Sequence, residues 1–151
     1  MKTLLTLLLA FSISSIVFAQ NSPQPAESIM KQAYAKAGNE NKKVLLIFHA
    51  SWCSWCRKME ASIDDPSCKK FFDDNYVITY LDVKENPDKR TLENPGGDDL
   101  MDKYNAGKSG LPFWLILDAK GNALAYSEMH TDGTPSDSPT DNVGCPATEK
   151  E

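Results

Sequence analysis

The sequence predicts a single α/β domain in which a mixed β-sheet carries helices on both faces. Its patterns run helix, strand, helix, strand, helix, strand, strand, so strands alternate with helices until a final adjacent pair. The first strand pattern, Lys43 to Ala50, is almost continuously apolar, which is typical of a central strand covered on both faces. A turn at residues 118–122 joins the last two strands, which are therefore expected to pair antiparallel.

The amino-terminal residues predict an export signal. Lys2 precedes an apolar run from Leu4 to Phe18, and Ala19 supplies a small residue at its end. The run is short and interrupted by serines, which argues against a membrane span. We therefore expect residues 1–19 to be a signal peptide cleaved near Ala19, which makes the mature protein periplasmic or secreted. An uncleaved anchor is the alternative.

The remaining chain divides into three parts by composition. Residues 20–27 are polar with two prolines and are expected to form a flexible leader. Residues 28–127 contain all the helix and strand patterns and form the predicted domain, whereas residues 128–151 are expected to be an irregular tail. The net charge is −5 and the basic residues are scattered among acids, so nucleic acid is not an expected partner.

The helices are predicted from apolar residues at helical spacing and from the glycines and prolines that follow them. In chain order they are expected at residues 28–37, 54–63, 68–74 and 99–105. Trp55, Met59 and Ile63 share the spacing of one helical face in the second of these. Phe71 and Phe72 are expected to face inward in the third.

The strands are predicted from β-branched and aromatic runs bounded by turn residues. In chain order they are expected at residues 43–50, 76–83, 113–117 and 123–127. A long polar loop, residues 85–98, separates the second strand from the last helix and is interpreted as a surface excursion or a partner-facing insertion.

Cys53 and Cys56 form a CxxC motif between a buried-strand pattern and a helix pattern. Cys53 is expected near unpaired backbone N–H groups, where the helix macrodipole favours a thiolate and Arg57 and Lys58 add positive charge. Cys56 lies one turn further on and can attack a mixed disulfide on Cys53. The motif therefore predicts a nucleophile, Cys53, and a resolving thiol, Cys56. A tight structural disulfide or half of a zinc site are alternatives, since several chemistries share a bare CxxC.

Two separated segments carry a resemblance to a known family. Phe48 to Met59, read FHASWCSWCRKM, and Gly110 to Phe113, read GLPF, together resemble the thioredoxin superfamily. Met59 to Tyr76 is also similar to the soluble domain of bacterial transmembrane thiol-disulfide interchange proteins. The likeness covers roughly Ser28 to Ser127 and implies a thioredoxin-like fold.

The resemblance implies a substrate groove beside the dithiol. It makes Leu111–Pro112 a cis peptide, with the backbone of Leu111 pairing with an extended client segment; a trans proline opening a strand is the alternative. Trp52 and Trp55 are expected to border this groove, and core packing is the alternative for each indole.

The resemblance also implies an activity and its partners. The expected function is a thiol-disulfide oxidoreductase that reduces protein disulfides without a bound cofactor, through Cys53 and Cys56 alone. Expected partners are client proteins with disulfides and a membrane thiol electron donor. An oxidase or isomerase of the same fold, or a non-catalytic binding module, are the competing functions.

One departure from the family pattern concerns proton transfer. Many thioredoxins carry a buried acid in the strand before the motif, and this chain has Ile47 there. His49 lies on the same strand face and could tune the dithiol or shuttle its proton; a packed, hydrogen-bonded histidine is the alternative.

Two further departures concern the motif and the carboxyl end. The residues between the cysteines, Ser54 and Trp55, match neither strongly reducing nor strongly oxidising relatives, so the sequence predicts no redox potential. Thr148 and Glu151 have the spacing of a helix-start capping box where the sequence stops, so the two expectations are a truncated chain or an absent closing helix.

Two cysteines remain outside the motif. Cys68 and Cys145 could form a disulfide that ties the tail to the third helix, or remain thiols, because spacing does not determine connectivity. A zinc site that combines the motif cysteines with His49 or His130 lacks recognisable ligand spacing, so no metal is expected.

Overall fold

The computed structural model describes residues 22–127, 142, 144 and 145. The helices are α1 (Ala26–Glu40), α2 (Ser54–Ile63), α3 (Lys69–Asn75) and α4 (Gly97–Lys103), with a 3-10 helix at Pro87–Leu92. The strands are β1 (Lys43–His49), β2 (Tyr76–Asp82), β3 (Phe113–Leu117) and β4 (Ala123–Tyr126). The predicted signal peptide and most of the predicted tail, including His130, Thr148 and Glu151, lie outside the described residues.

The sheet is mixed, as predicted, with strand order β2-β1-β3-β4. β1 pairs in parallel with β2 and antiparallel with β3, and β3 pairs antiparallel with β4. β1 is therefore central, which explains why its sequence is apolar at almost every position. Among the described residues, no helix has the length and apolar character needed to cross a membrane.

Alternate residues of β1 feed two cores on opposite faces of the sheet. Val44, Leu46 and Phe48 join the larger cluster, to which α1 and α4 also contribute. Leu45 and Ile47 pack on the other face against residues of α2. The fold therefore anchors α2 directly on the strand that leads into the CxxC motif.

Two elements have the predicted limits, and two helices begin earlier than predicted. α2 and β3 match their predicted ranges, whereas α4 begins two residues early and α1 begins at Ala26. Ala26 is buried, and its backbone N–H donates to the Pro95 carbonyl at 2.9 Å. The side chain of Asn94 also donates to the Gln24 carbonyl at 2.9 Å. These contacts hold residues just before α1 against the loop that precedes α4.

The prediction that Phe71 and Phe72 both face inward is wrong. Phe71 is 58% exposed, whereas Phe72 packs against the core on the α2 face of the sheet. Successive residues of a helix are separated by about 100° around its axis, so a seven-residue helix does not bury both rings against one surface. The two rings instead meet edge to face, with centroids 5.6 Å apart.

Candidate active site

The CxxC motif lies where β1 passes into α2. Cys53 is the N-cap residue of α2, and its Sγ accepts a hydrogen bond from the Cys56 backbone N–H at 3.1 Å. The two cysteines form a disulfide, and both are buried. The motif therefore sits at the positive end of the helix macrodipole, as predicted from the sequence.

The cations next to the motif are engaged by other groups. The Arg57 guanidinium donates to the Ser51 carbonyl at 3.0 Å, which ties the first turn of α2 to the loop before it. The Lys58 ammonium lies 4.0 Å from the centroid of the Trp55 ring, a cation–π contact. Both residues lie in α2 within one turn of Cys56.

The predicted cis peptide between Leu111 and Pro112 is confirmed. Leu111 packs against the small cluster formed by Ala50 and the two motif cysteines, and Pro112 is fully buried. The loop before β3 therefore meets the disulfide, although about sixty residues separate them in sequence.

Both tryptophans of the motif are exposed, so the alternative of core packing is wrong for each. Trp52 is 48% exposed and Trp55 is 46% exposed. The buried face of α2 consists of Cys56, Met59 and Ile63. The sequence pattern placed Trp55 on this face, but Cys56, the next residue, takes that place. The indole N–H of Trp52, the residue before Cys53, donates to the Lys84 carbonyl at 2.8 Å, which anchors that ring to the residues after β2.

Residues of the carboxyl-terminal segment lie beside the proline loop, which sequence reasoning missed. The Asn142 side-chain amide donates to the Gly110 and Pro112 carbonyls at 2.8 and 3.1 Å. The Trp114 indole N–H donates to the Gly144 carbonyl at 2.9 Å. No local pattern signals these contacts, because they join segments about thirty residues apart.

The candidate disulfide between Cys68 and Cys145 is not formed, and both cysteines are thiols. Cys68 Sγ donates to the Ser62 carbonyl at 2.7 Å, in the turn between α2 and α3. Cys145 packs beside the core on the α2 face, where burial raises its pKa and the Lys58 charge partly opposes that rise. The disulfide alternative is therefore wrong, and the thiol alternative is confirmed.

The position of Ile47 is apolar in the structure as well as in the sequence. Ile47 is buried and packs with Met59 and Ile63. His49 instead carries the polar contacts on this side: its Nδ1 lies 3.0 Å from a Glu60 oxygen and its Nε2 lies 3.2 Å from an Asp82 oxygen. The Nδ1 contact with Glu60 is a hydrogen bond, whereas the Nε2 contact with Asp82 lies at ion-pair distance.

Glu60 and Asp82 were not singled out by sequence reasoning. Asp82 pairs with His49 in the register of β1 and β2, which local patterns do not reveal. Glu60 had a local signal, since it follows Cys56 by four residues and so shares its side of α2. Burial raises the pKa of the Asp82 carboxyl, the His49 charge opposes that rise, and the nearby charges of Glu85 and Glu60 add to it.

Glu85 is a buried carboxylate that supports the motif. It is 4% exposed, and its two oxygens accept from the backbone N–H and the hydroxyl of Ser51. Its own backbone N–H donates to the Glu93 carboxylate at 2.9 Å. The start of the long polar loop, at Glu85, therefore holds Ser51, two residues before Cys53.

No group of three or more His, Cys, Asp or Glu side chains is placed to hold a metal within the part of the chain that the structure describes. The ring nitrogens of His49 face carboxylates, and the motif sulfurs are bonded to each other.

This fold and its Cys53–Cys56 disulfide are those of the thiol-disulfide oxidoreductase class. The chain belongs to the thioredoxin-like family, whose family model matches residues 26–119. The resemblance inferred from the CxxC and proline segments is thereby confirmed.

Two curated relatives are similar over most of the chain. The thiol:disulfide interchange protein DsbD of Photorhabdus laumondii is 27% identical over 77% of this chain, which spans 18% of that relative. The disulfide bond reductase DsbH of Chlamydia pneumoniae is 27% identical over 70% of this chain, which spans 66% of it. The chain therefore spans less than two thirds of each.

Solved structures share the fold. A disulphide isomerase from Xylella fastidiosa superposes with a TM-score of 0.55 at 22% identity, covering 67% of this chain and 72% of that one. A DsbH oxidoreductase structure gives a TM-score of 0.50 at 22% identity, with coverages of 76% and 74%. These likenesses establish the architecture alone.

Proposed function

We propose that this chain is an exported thiol-disulfide oxidoreductase that reduces disulfides in client proteins. The observation that carries the proposal is the Cys53–Cys56 disulfide at the amino terminus of α2, packed against Leu111. Exposed indoles beside a buried disulfide support a protein client, because they offer apolar contact area next to the reacting sulfurs.

Reduction proceeds by two exchanges. In the reduced protein, the Cys53 thiolate attacks one sulfur of a client disulfide, forming a mixed disulfide and releasing the other client sulfur as a thiolate. Cys56 then loses its proton and attacks Cys53, so the Cys53–Cys56 disulfide forms and the second client sulfur departs. The Cys56 backbone N–H that now points at Cys53 Sγ supports the first step, since it would stabilise the attacking thiolate.

The client groove is formed by the proline loop and the two indoles. The backbone of Leu111 pairs with an extended client segment, while Trp52 and Trp55 contact client side chains on either side of the sulfurs. Trp52 is suited to this role because its bond to the Lys84 carbonyl orients the ring before a client arrives.

Export and electron supply complete the proposal. Residues 1–19 act as a signal peptide, and the exported dithiol is returned to its reduced form by a membrane thiol donor, because an oxidising compartment favours the disulfide. The name of one relative, a disulfide bond reductase, favours the reducing direction.

The test combines an insulin-reduction assay with a titration of the midpoint potential. A reductase is expected to precipitate insulin chains in the presence of a dithiol donor and to have a potential near that of thioredoxin, about −270 mV. Loss of the activity in Cys53→Ser, but not in Cys68→Ser, would assign it to the motif. A potential near −120 mV, that of a strong oxidant, would overturn reduction and favour an oxidase of the same fold.

A further inference from the structure

The edge of β3 that faces β4 extends beyond the point where β4 stops. β4 ends at Tyr126, and the backbone N–H of Ser127 donates to the Trp114 carbonyl at 2.9 Å. In extended backbone, carbonyls two residues apart point to the same edge, so the carbonyl of Pro112 points to this edge as well. Pro112 is fully buried, and the β3–β4 pairing has ended there. Its carbonyl therefore needs a partner from another part of the chain.

The side chain of Asn142 supplies that partner. Its amide nitrogen donates to the Gly110 carbonyl at 2.8 Å and to the Pro112 carbonyl at 3.1 Å. Its amide oxygen accepts from the backbone N–H of Gly144 at 3.0 Å. An asparagine amide carries two N–H donors and one carbonyl acceptor, so these contacts use both donors and the acceptor together. An aspartate carboxylate of the same shape has no donor to offer.

Contacts on the carboxyl side of Asn142 hold it in place. The Gly144 carbonyl accepts from the Trp114 indole N–H at 2.9 Å. Gly144 has a φ of 55°, and a Cβ atom there would lie 3.6 Å from both the ring Cδ and the carbonyl oxygen of Pro112. Glycine is suited to that positive φ and to the close approach of its backbone to the proline. Cys145 then packs beside the core on the α2 face.

The two carbonyls that Asn142 binds lie on either side of Leu111. Leu111 packs against both motif cysteines, and under the proposed function its backbone pairs with the client segment. Fixing the neighbouring carbonyls reduces the conformational freedom that this backbone loses when a client binds. Ser109, further toward the amino terminus, is held separately, because its carbonyl accepts from the Lys84 ammonium at 2.8 Å. Loss of the Asn142 contacts therefore acts first on the backbone around Leu111.

We propose that Asn142 is a positioning residue for client binding, which holds the Gly110 and Pro112 carbonyls and so fixes the Leu111 backbone in the orientation that a client segment pairs with. The inference rests on the proposed function and adds to it a residue outside the CxxC motif and the proline loop. No bond of the exchange reaction forms or breaks at Asn142. The residue therefore acts on the affinity for protein clients and not on the sulfur chemistry.

The experiment compares Asn142→Asp with Asn142→Ala in a full chain that carries Cys68→Ser and Cys145→Ser, so that only the motif thiols react. Insulin reduction with a dithiol donor gives KM and kcat for a protein client. The reaction of the reduced chain with Ellman's reagent, a small disulfide without a peptide backbone, reports the sulfur chemistry alone.

Asn142→Asp is expected to raise KM for insulin at least about fivefold, because its carboxylate faces two carbonyl oxygens and donates to neither. Asn142→Ala is expected to raise KM less, since it removes the donors without adding repulsion. In both variants kcat and the rate with Ellman's reagent are expected to change by less than about twofold. A role of the side chain's shape alone would make Asn142→Ala the worse variant, because aspartate keeps the shape of asparagine, and that order would overturn the inference.

The matched control is Asn39→Asp, which makes the same charge change at an exposed position of α1. It is expected to leave KM unchanged, and thermal unfolding followed by circular dichroism checks that each variant is folded. Unchanged or lowered KM in both Asn142 variants, or an equal loss toward insulin and Ellman's reagent, would overturn this inference while leaving the proposed function intact. Failure of the parent to reduce insulin would overturn the proposed function and the inference together.

Discussion

The candidate site has an apolar side and a charged side that meet at the start of α2. On the apolar side, Ala50 and Leu111 pack against the two motif sulfurs. On the charged side, Glu60 and Asp82 contact the His49 imidazole, and Glu85 accepts two hydrogen bonds from Ser51. The apolar side shields the sulfurs from water, whereas the charged side can exchange protons with it. The reacting sulfur atoms and the ionisable side chains therefore lie on different sides of one site.

The largest effect is expected when a motif sulfur is replaced by oxygen. Cys53→Ser is expected to abolish insulin reduction, because a serine hydroxyl is neutral near pH 7 and does not attack a disulfide. Cys56→Ser is expected to stop turnover after the first step and to accumulate a client adduct on Cys53. Mass spectrometry of trapped adducts distinguishes the two variants, and an adduct located on Cys56 would contradict the assigned roles.

The second prediction concerns the anchoring of α2, the helix at whose start the two sides meet. Met59 is buried between α2 and the sheet, so Met59→Ala is expected to lower the free energy of unfolding by about 2–5 kcal/mol. Lys58→Ala, at an exposed position on the same helix, is expected to change it by less than about 0.5 kcal/mol. Urea denaturation measures both. Equal effects would mean that α2 is not anchored through its buried face.

The third prediction concerns the hydrogen bonds by which Glu85, on the charged side, holds Ser51. Glu85→Ala leaves the Ser51 N–H without its acceptor and is expected to cost about 1–3 kcal/mol of stability. Glu93→Ala, which removes only the acceptor of the Glu85 backbone N–H, is expected to cost less, because Glu93 is more exposed. The denaturation midpoints of the two variants give the order of their stabilities. A larger loss in Glu93→Ala than in Glu85→Ala would contradict the stabilising role of the Glu85–Ser51 hydrogen bonds.

The fourth prediction concerns client contact on the apolar side. Trp52→Ala is expected to raise KM for a protein disulfide several-fold, because the exposed indole contacts the client, and to change reduction of a small aromatic disulfide little. Trp55→Ala is expected to act in the same direction, because the Trp55 indole also borders the proposed groove, where Lys58 lies over its ring. An equal loss toward both substrates would show that Trp52 acts on the sulfurs and not on the client.

The smallest expected effect is a pH dependence on the charged side. The folded-state pKa of Asp82 is raised, so the native protein binds its proton more tightly than the unfolded chain does. Its contribution to stability is present below the ordinary aspartate pKa and is lost as pH rises through the folded value. The free energy of unfolding of the native chain, measured relative to that of Asp82→Asn, should therefore fall as the pH rises across the acidic range. An increase with rising pH would contradict the raised pKa of Asp82.

The apolar side was predictable from the sequence, and the charged side was not. Cys53, Cys56 and Pro112 sit in local patterns, a strand followed by a helix and a proline before a strand, that specify their surroundings. His49 was singled out as a residue, but its partners depend on the pairing of β1 with β2 and on how α2 lies across them. Asp82 enters the site only through that register, which no window of neighbouring residues contains.

Ionisation of the motif cysteines in the reduced protein tests the central claim most directly. Each thiol can be followed by the pH dependence of its iodoacetamide alkylation, read out by mass spectrometry. The account predicts that Cys53 is alkylated first, with a pKa below the unperturbed value of about 8.5, and that Cys56 is protected at neutral pH. Equal alkylation of both thiols with unperturbed pKa values would contradict it.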